Sequence, residues 1–282
     1  MQKLYAWSGL SRPLSYKWFT HRLLFICLAA AFLIAAASHL ADVQEGLGSA
    51  AAFGLRISLG VFFSWAITRE LDPDAPWAAM LAIALASAAL WFWPFPHLKL
   101  FFLVLLLLRL VNRSTGVEAK ILDVLLILAL TGWLLYEEQL IAGVFAALAL
   151  WSNGRLPNPQ PSHKYIALGV VMLTSLAIMY YPAQRMPNEL SMWINISIIT
   201  IATGFALYSR QLKKVKSTAE ATAQPLYLVR VRAAQLISLL VFTVFSLWYG
   251  DWLFVQIIII WATFGAIFLY AALSYKTSSL NS

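Results

Sequence analysis

Leu98-Lys-Leu-Phe-Phe-Leu-Val-Leu-Leu-Leu-Leu-Arg-Leu-Val-Asn-Arg-Ser-Thr-Gly-Val-Glu118 is an unbroken apolar run that closes on an arginine and a polar turn. A strand with one face in water alternates polar and apolar residues, and this run does not. Continuous apolarity asks for a helix in apolar surroundings, where every backbone amide finds its partner within the segment. The turn at its end, Arg113-Ser-Thr-Gly-Val-Glu118, has two counterparts in the chain. Arg69-Glu-Leu-Asp-Pro-Asp74 begins 44 residues earlier and Arg155-Leu-Pro-Asn-Pro-Gln160 begins 42 residues later. Each has an arginine at the end of one apolar run and, five residues on, a carboxylate or amide opening the next. The pattern predicts tandem helical hairpins whose equivalent turns share one side of a bilayer.

Composition agrees with that solvent. Over 282 residues, 61% are hydrophobic, 11% are charged and the mean hydropathy is +0.76, too little polar surface to coat a water-soluble globule. The fold class expected is an all-α integral membrane protein, a polytopic bundle. Runs of about 17 to 23 residues suit a hydrocarbon core roughly 30 Å thick. Ten segments qualify as candidates: 22–40, 47–68, 76–92, 98–111, 117–136, 139–151, 165–181, 190–207, 226–248 and 252–273. The fourth and sixth are short, and the count falls to eight if neither spans.

Charge orients the set. With the N-terminus in the cytoplasm, that side receives Lys3, Arg12, Lys17, Arg22, Arg69, Arg109, Arg113, Lys120, Arg155, Lys164, Arg210, Lys213, Lys214, Lys216, Arg230, Arg232 and Lys276, against Lys99 and Arg185 opposite. The Lys/Arg bias places both termini inside and favours an even number of spans in the plasma (inner) membrane. The opposite loops hold Asp42, Glu45, Glu137, Glu138, Glu189 and Asp251. The net charge of +8 is read as this topology signal, and no nucleic-acid partner is inferred from it. The first apolar run follows some twenty residues rich in aromatic and basic groups, so it is expected as an uncleaved helix with an interfacial lead-in.

The expected organisation is an interfacial segment 1–21, a transmembrane bundle 22–208, a basic cytoplasmic connector 209–225, a C-terminal hairpin 226–273 and a tail 274–282. Cys27 is the sole cysteine and the four histidines are scattered, so no disulfide, CxxC or local zinc or haem motif can be built. Arg210, Lys213, Lys214 and Lys216 in the connector suit attraction to anionic lipid headgroups.

Two readings of the repeated turns stand side by side. As helix punctuation, Asp72-Pro73 and Asn158-Pro159 supply N-caps followed by proline, Thr115 to Glu118 supplies a capping box, and the arginines complement helix C-termini. As a functional rim, Arg69, Glu70, Asp72, Asp74, Arg113, Glu118 and Arg155 concentrate more charge than capping needs. Carboxylates Asp72, Asp74 and Glu118 could then hold Mg²⁺, with the arginines on phosphate oxygens. Within the bilayer, Arg56, Arg109 and Asp123 are the charges that need partners or water, and they mark a substrate or ion pathway. The function expected is a small transporter or permease whose polar pathway opens to this rim. The alternatives are a metal-dependent enzyme acting on a phosphorylated lipid or isoprenoid at the cytoplasmic face, and a noncatalytic membrane subunit of a complex.

Overall fold

The computed structural model describes residues 2–14, 16, 18–43, 46–181 and 191–280. Lys17, Glu45, Arg185 and Glu189, which enter the charge pattern, lie outside the described residues, as do the side chains of Lys3, Asp42 and Lys276. Among the described residues there are eleven helices and no strand. They are α1 (Gln2–Trp7), α2 (Phe19–Val43), α3 (Leu47–Leu71), α4 (Pro76–Phe92), α5 (Leu98–Asn112), α6 (Ile121–Tyr136), α7 (Leu140–Asn153), α8 (Ser162–Tyr180), α9 (Met192–Gln211), α10 (Leu228–Gln256) and α11 (Ile258–Leu280). Each of the ten apolar runs overlaps one of α2 to α11, with the last run, 252–273, starting within α10 and continuing into α11. Five helices, α2, α3, α8, α9 and α10, are long and apolar enough to cross a membrane.

The chain divides into two compact units, residues 1–13 with 99–251 and residues 14–98 with 252–282. The chain crosses between them after residues 13, 98 and 251, and the last crossing follows a break in α10, where Gly250 takes φ 66° and ψ −149°. That backbone region is open to glycine and costly for other residues. The two helices of the expected C-terminal hairpin therefore fall mostly into different units.

In the smaller unit, α3 packs against α2, α4 and α11, and α11 also packs on α4. Gly54 permits the closest approach, because a Cβ there would lie 2.7 Å from the Phe32 carbonyl oxygen of α2. Thr263 of α11 is fully buried and donates to the Ser64 carbonyl of α3 at 3.4 Å, with Thr68 Oγ1 also 3.4 Å from its hydroxyl. Such hydroxyl-to-backbone bonds join helices in apolar surroundings.

In the larger unit, the two short helices are the centre. Eleven of the 15 residues of α5 and nine of the 14 of α7 are buried, against four of 19 in α8 and four of 20 in α9. At 1.5 Å per residue, α5 and α7 are only about 21 to 23 Å long. A helix surrounded by protein has little lipid contact, so its length need not match the hydrocarbon thickness. Gly143 of α7 lets α8 approach closely, since a Cβ there would lie 2.2 Å from Thr174 Oγ1. Phe145 of α7 meets Phe242 of α10 edge-on at 5.5 Å.

Helix starts differ from the expected caps at all three turns. α4 begins at Pro76 with Ala75 as N-cap, α6 at Ile121 with Lys120, and α8 at Ser162 with Pro161. Asp72 instead closes α3, its N–H bonding the Thr68 carbonyl. Asn158 takes φ 56°, which excludes the extended backbone an N-cap adopts. Thr115 spends its hydroxyl on the Gly9 carbonyl, a contact 106 residues away in sequence.

Candidate functional site

The polar rim of the larger unit is built where four stretches of chain meet: residues 8–12, the turn after α5, the turn after α7, and the connector before α10. Asp123, the third residue of α6, is buried and has both carboxylate oxygens engaged. Oδ1 accepts from Ser8 Oγ at 2.5 Å, and Oδ2 accepts from the Gly9 and Lys120 amides at 2.8 Å each. The Lys120 bond caps the helix, while the other two fix the segment at residues 8 and 9. Arg109 donates to the carbonyl of the following residue, Leu10, at 3.2 Å. Asp123 and Arg109 thus converge on one stretch of backbone. Gly9 fits because it has no side chain, since a Cβ would lie 2.1 Å from the Glu118 carbonyl oxygen.

The second and third turns meet. Gln160 Nε2 donates to the Ala119 carbonyl at 3.0 Å, and Arg230 of α10 bridges both. Arg230 is fully buried and donates to the carbonyls of Val111 (2.7 Å), Pro157 (2.9 Å) and Asn158 (3.1 Å), and to Asn153 Oδ1 (3.0 Å). Asn153 Nδ2 in turn donates to Gln160 Oε1 at 3.0 Å and to His163 Nδ1 at 2.9 Å. The guanidinium fork supplies donors in fixed directions to the carbonyls left over at the ends of two helices. These two turns also match in length, eight residues each between helices, whereas the first has four and belongs to the smaller unit.

The connector is docked on the rim. The amides of Glu220 and Ala221 donate to the carbonyls of Ser114 and Thr115 at 3.2 and 3.0 Å, and Arg12 pairs with Glu220 at 2.6 Å. Ala219 is buried. Lys213, Lys214 and Lys216 remain exposed. Arg113 is buried, its Nη2 standing 3.6 Å from the exposed Glu118 carboxylate. Burial pushes its pKa down, and Glu118 opposes that shift. Arg155 is exposed and stacks on Trp151 at 4.6 Å.

In the smaller unit, Glu70 and Asp72 are buried and Arg69 donates to the Pro73 carbonyl at 2.8 Å. Asp72 and Asp74 belong to this unit and Glu118 to the other, and among the described residues no group of three or more His, Cys, Asp and Glu side chains could hold a metal ion.

A cavity of about 570 Å³ opens among α2, α3 and α4 of the same unit. It is walled by Ala30, Ala31 and Ala35 of α2, Phe53 and Ile57 of α3 and Leu90 of α4, and ends at Pro94. Small alanines on α2 leave the space that larger side chains would fill. Arg56 is level with the end of α4: its guanidinium lies 5.6 Å from the ring of Phe95, next in sequence to Pro94. His39 stacks on Phe53 at 4.7 Å and bonds Ser49 at 3.0 Å. Of the three predicted pathway charges, Asp123 and Arg109 share the rim of one unit and Arg56 stands beside the cavity of the other.

Sequence reasoning passed over Arg230, Asn153 and His163. Arg230 entered only as one more cytoplasmic charge, and its position at the third residue of an apolar helix was the available signal that it needs acceptors. No family model, no curated protein and no solved structure matches the chain.

Proposed function

We propose that the protein is a small plasma-membrane carrier for an anionic amphiphile, whose hydrocarbon chain occupies the cavity among α2, α3 and α4 and whose acidic head meets Arg56. The observation that carries this reading is the cavity: about 570 Å³, apolar on nearly every wall, within the roughly 300 to 1,000 Å³ typical of small-molecule sites. Arg56 adds the sign of the ligand. It is an exposed cation at the cavity's end, with an aromatic ring under it. In this reading all ten helices α2 to α11, the short α5 and α7 included, cross the bilayer and both termini are cytoplasmic, as the Lys/Arg distribution supports.

Cys27 lines the cavity and is the only cysteine of the chain, so it reports occupancy without any mutation. In proteoliposomes, a fluorescent long-chain carboxylate should protect Cys27 from a membrane-permeant maleimide. It should also cross the bilayer faster than in empty vesicles, and maleimide-treated protein should lose that flux. Arg56→Gln should weaken protection by the acid about tenfold, a difference of 1.4 kcal/mol, and leave protection by the corresponding alcohol unchanged. Absence of protection overturns the site, and protection without flux overturns the carrier.

A further inference from the structure

A second, smaller cavity lies in the rim of the larger unit, independent of the apolar one. It measures about 20 Å³ and is bordered by Asn112, Arg113, Gly116, Asn158, Thr222 and Tyr227. That is room for one water-sized guest and too little for a phosphate headgroup.

The wall carries unbalanced positive charge. Arg113 is 8% exposed, and its Nη2 makes no hydrogen bond. The nearest carboxylate, Glu118, stands 3.6 Å away with 61% of its side chain in solvent, where its charge is screened. Arg230, close enough for its field and that of Arg113 to act on each other, has only neutral acceptors among its bonds. Arg113 is thus buried with its carboxylate neighbour beyond hydrogen-bond distance and mostly in solvent, and the nearby buried Arg230 adds a second positive charge bonded only to neutral acceptors. An uncompensated buried charge is costly unless paired.

The backbone around the cavity is held in costly conformations. Arg113 (φ 52°), Gly116 (φ 80°), Asn158 (φ 56°) and Ala223 (φ 54°) all lie in the left-handed region, which is open to glycine and disfavoured for other residues. Surrounding structure has to over-determine such a cluster for it to persist. The Tyr227 hydroxyl accepts from Asn158 Nδ2 at 3.3 Å, leaving its own proton to donate.

We infer that this cavity binds a single monatomic anion of chloride size, held by Arg113 Nη2 and the hydroxyl of Tyr227. The ion locks the connector 219–227 onto the turn 112–116, neutralising the excess charge at the point where the two stretches meet. The rim then holds its connector tightly only where that anion is present.

The test is thermal unfolding of the purified protein in sodium chloride, sodium bromide and sodium gluconate at equal ionic strength. Chloride and bromide should raise Tm saturably by roughly 2 to 4 °C over gluconate. Arg113→Gln should abolish the difference between salts. Equal Tm in all three salts, or an undiminished halide response in Arg113→Gln, overturns the proposal. If that variant does not fold, crystals of the wild-type protein in bromide decide the matter. An anomalous peak within hydrogen-bond distance of Arg113 supports the site, and its absence overturns it.

Discussion

The larger unit packs its central helices closely, leaving room in its rim for one water-sized guest, and pairs most of its polar groups with one another, whereas the smaller unit leaves a far larger cavity and keeps a cation beside it. In the larger unit the central helices α5 and α7 are protein-covered, and Arg230, Asn153, Gln160 and His163 form a chain of bonds between two turns. In the smaller unit, α2 has only 11% of its apolar window buried and presents alanines to the cavity. A region whose polar groups are mostly matched to protein partners, Arg113 Nη2 being an exception, resists change. A region with open space and an exposed arginine has room for a ligand. The contrast assigns structural work to Arg230 and Asp123 of the rim and recognition of the amphiphile to Arg56 and the apolar walls.

The largest effect should come from Arg230. Arg230→Leu strips the donor from three carbonyls and from Asn153 Oδ1 at once, and should cost roughly 3 to 4 kcal/mol, read as a lower midpoint in detergent-phase unfolding. Arg230→Lys keeps the charge but cannot reproduce the fork, and should recover less than half of that loss. If lysine restores full stability, charge rather than geometry holds the two turns together.

The helical membrane class was legible because apolar runs such as Leu100 to Leu108 leave no other structure possible in hydrocarbon. Pairing between turns was not legible. The repeat of Arg69, Arg113 and Arg155 suggested three equivalent turns, yet Arg69 lies within α3 while Arg113 and Arg155 lie beyond the ends of α5 and α7. Local cap rules failed at Thr115 because its hydroxyl goes to the distant Gly9 carbonyl, and at Asn158 because the residue takes a left-handed backbone, φ 56°. Asp123 looked like a pathway residue because a carboxylate two turns into a membrane run is rare. Its helix starts later than expected, at Ile121, so the residue falls in the first turn, where a carboxylate caps. Arg56 could be flagged from sequence, but the cavity beside it depends on how α2, α3 and α4 pack.

A smaller effect should follow from Gly9→Ala. Its Cβ would meet the Glu118 carbonyl oxygen at 2.1 Å and the carbonyl carbon at 2.7 Å, and neither backbone atom can rotate aside. The expected cost is about 1 to 3 kcal/mol. Detachment of residues 8–12 should also expose Arg12, so limited trypsin digestion should cut there faster than in wild type. Unchanged cleavage would mean that Asp123 and Arg109 do not need this segment to be seated.

The sharpest comparison places the same substitution in both units. Ala142 of α7 is fully buried, so Ala142→Leu adds three carbons where no space exists and should cost about 1 to 3 kcal/mol through displaced neighbours. Ala31 borders the 570 Å³ cavity, where the added carbons enter empty space and gain apolar contacts. Ala31→Leu should therefore leave the unfolding midpoint unchanged or raise it, while weakening protection of Cys27 by the fluorescent carboxylate. A stable Ala31→Leu protein that still protects Cys27 as well as wild type would break the link between the open space and ligand binding, because the site would then tolerate the loss of its own volume.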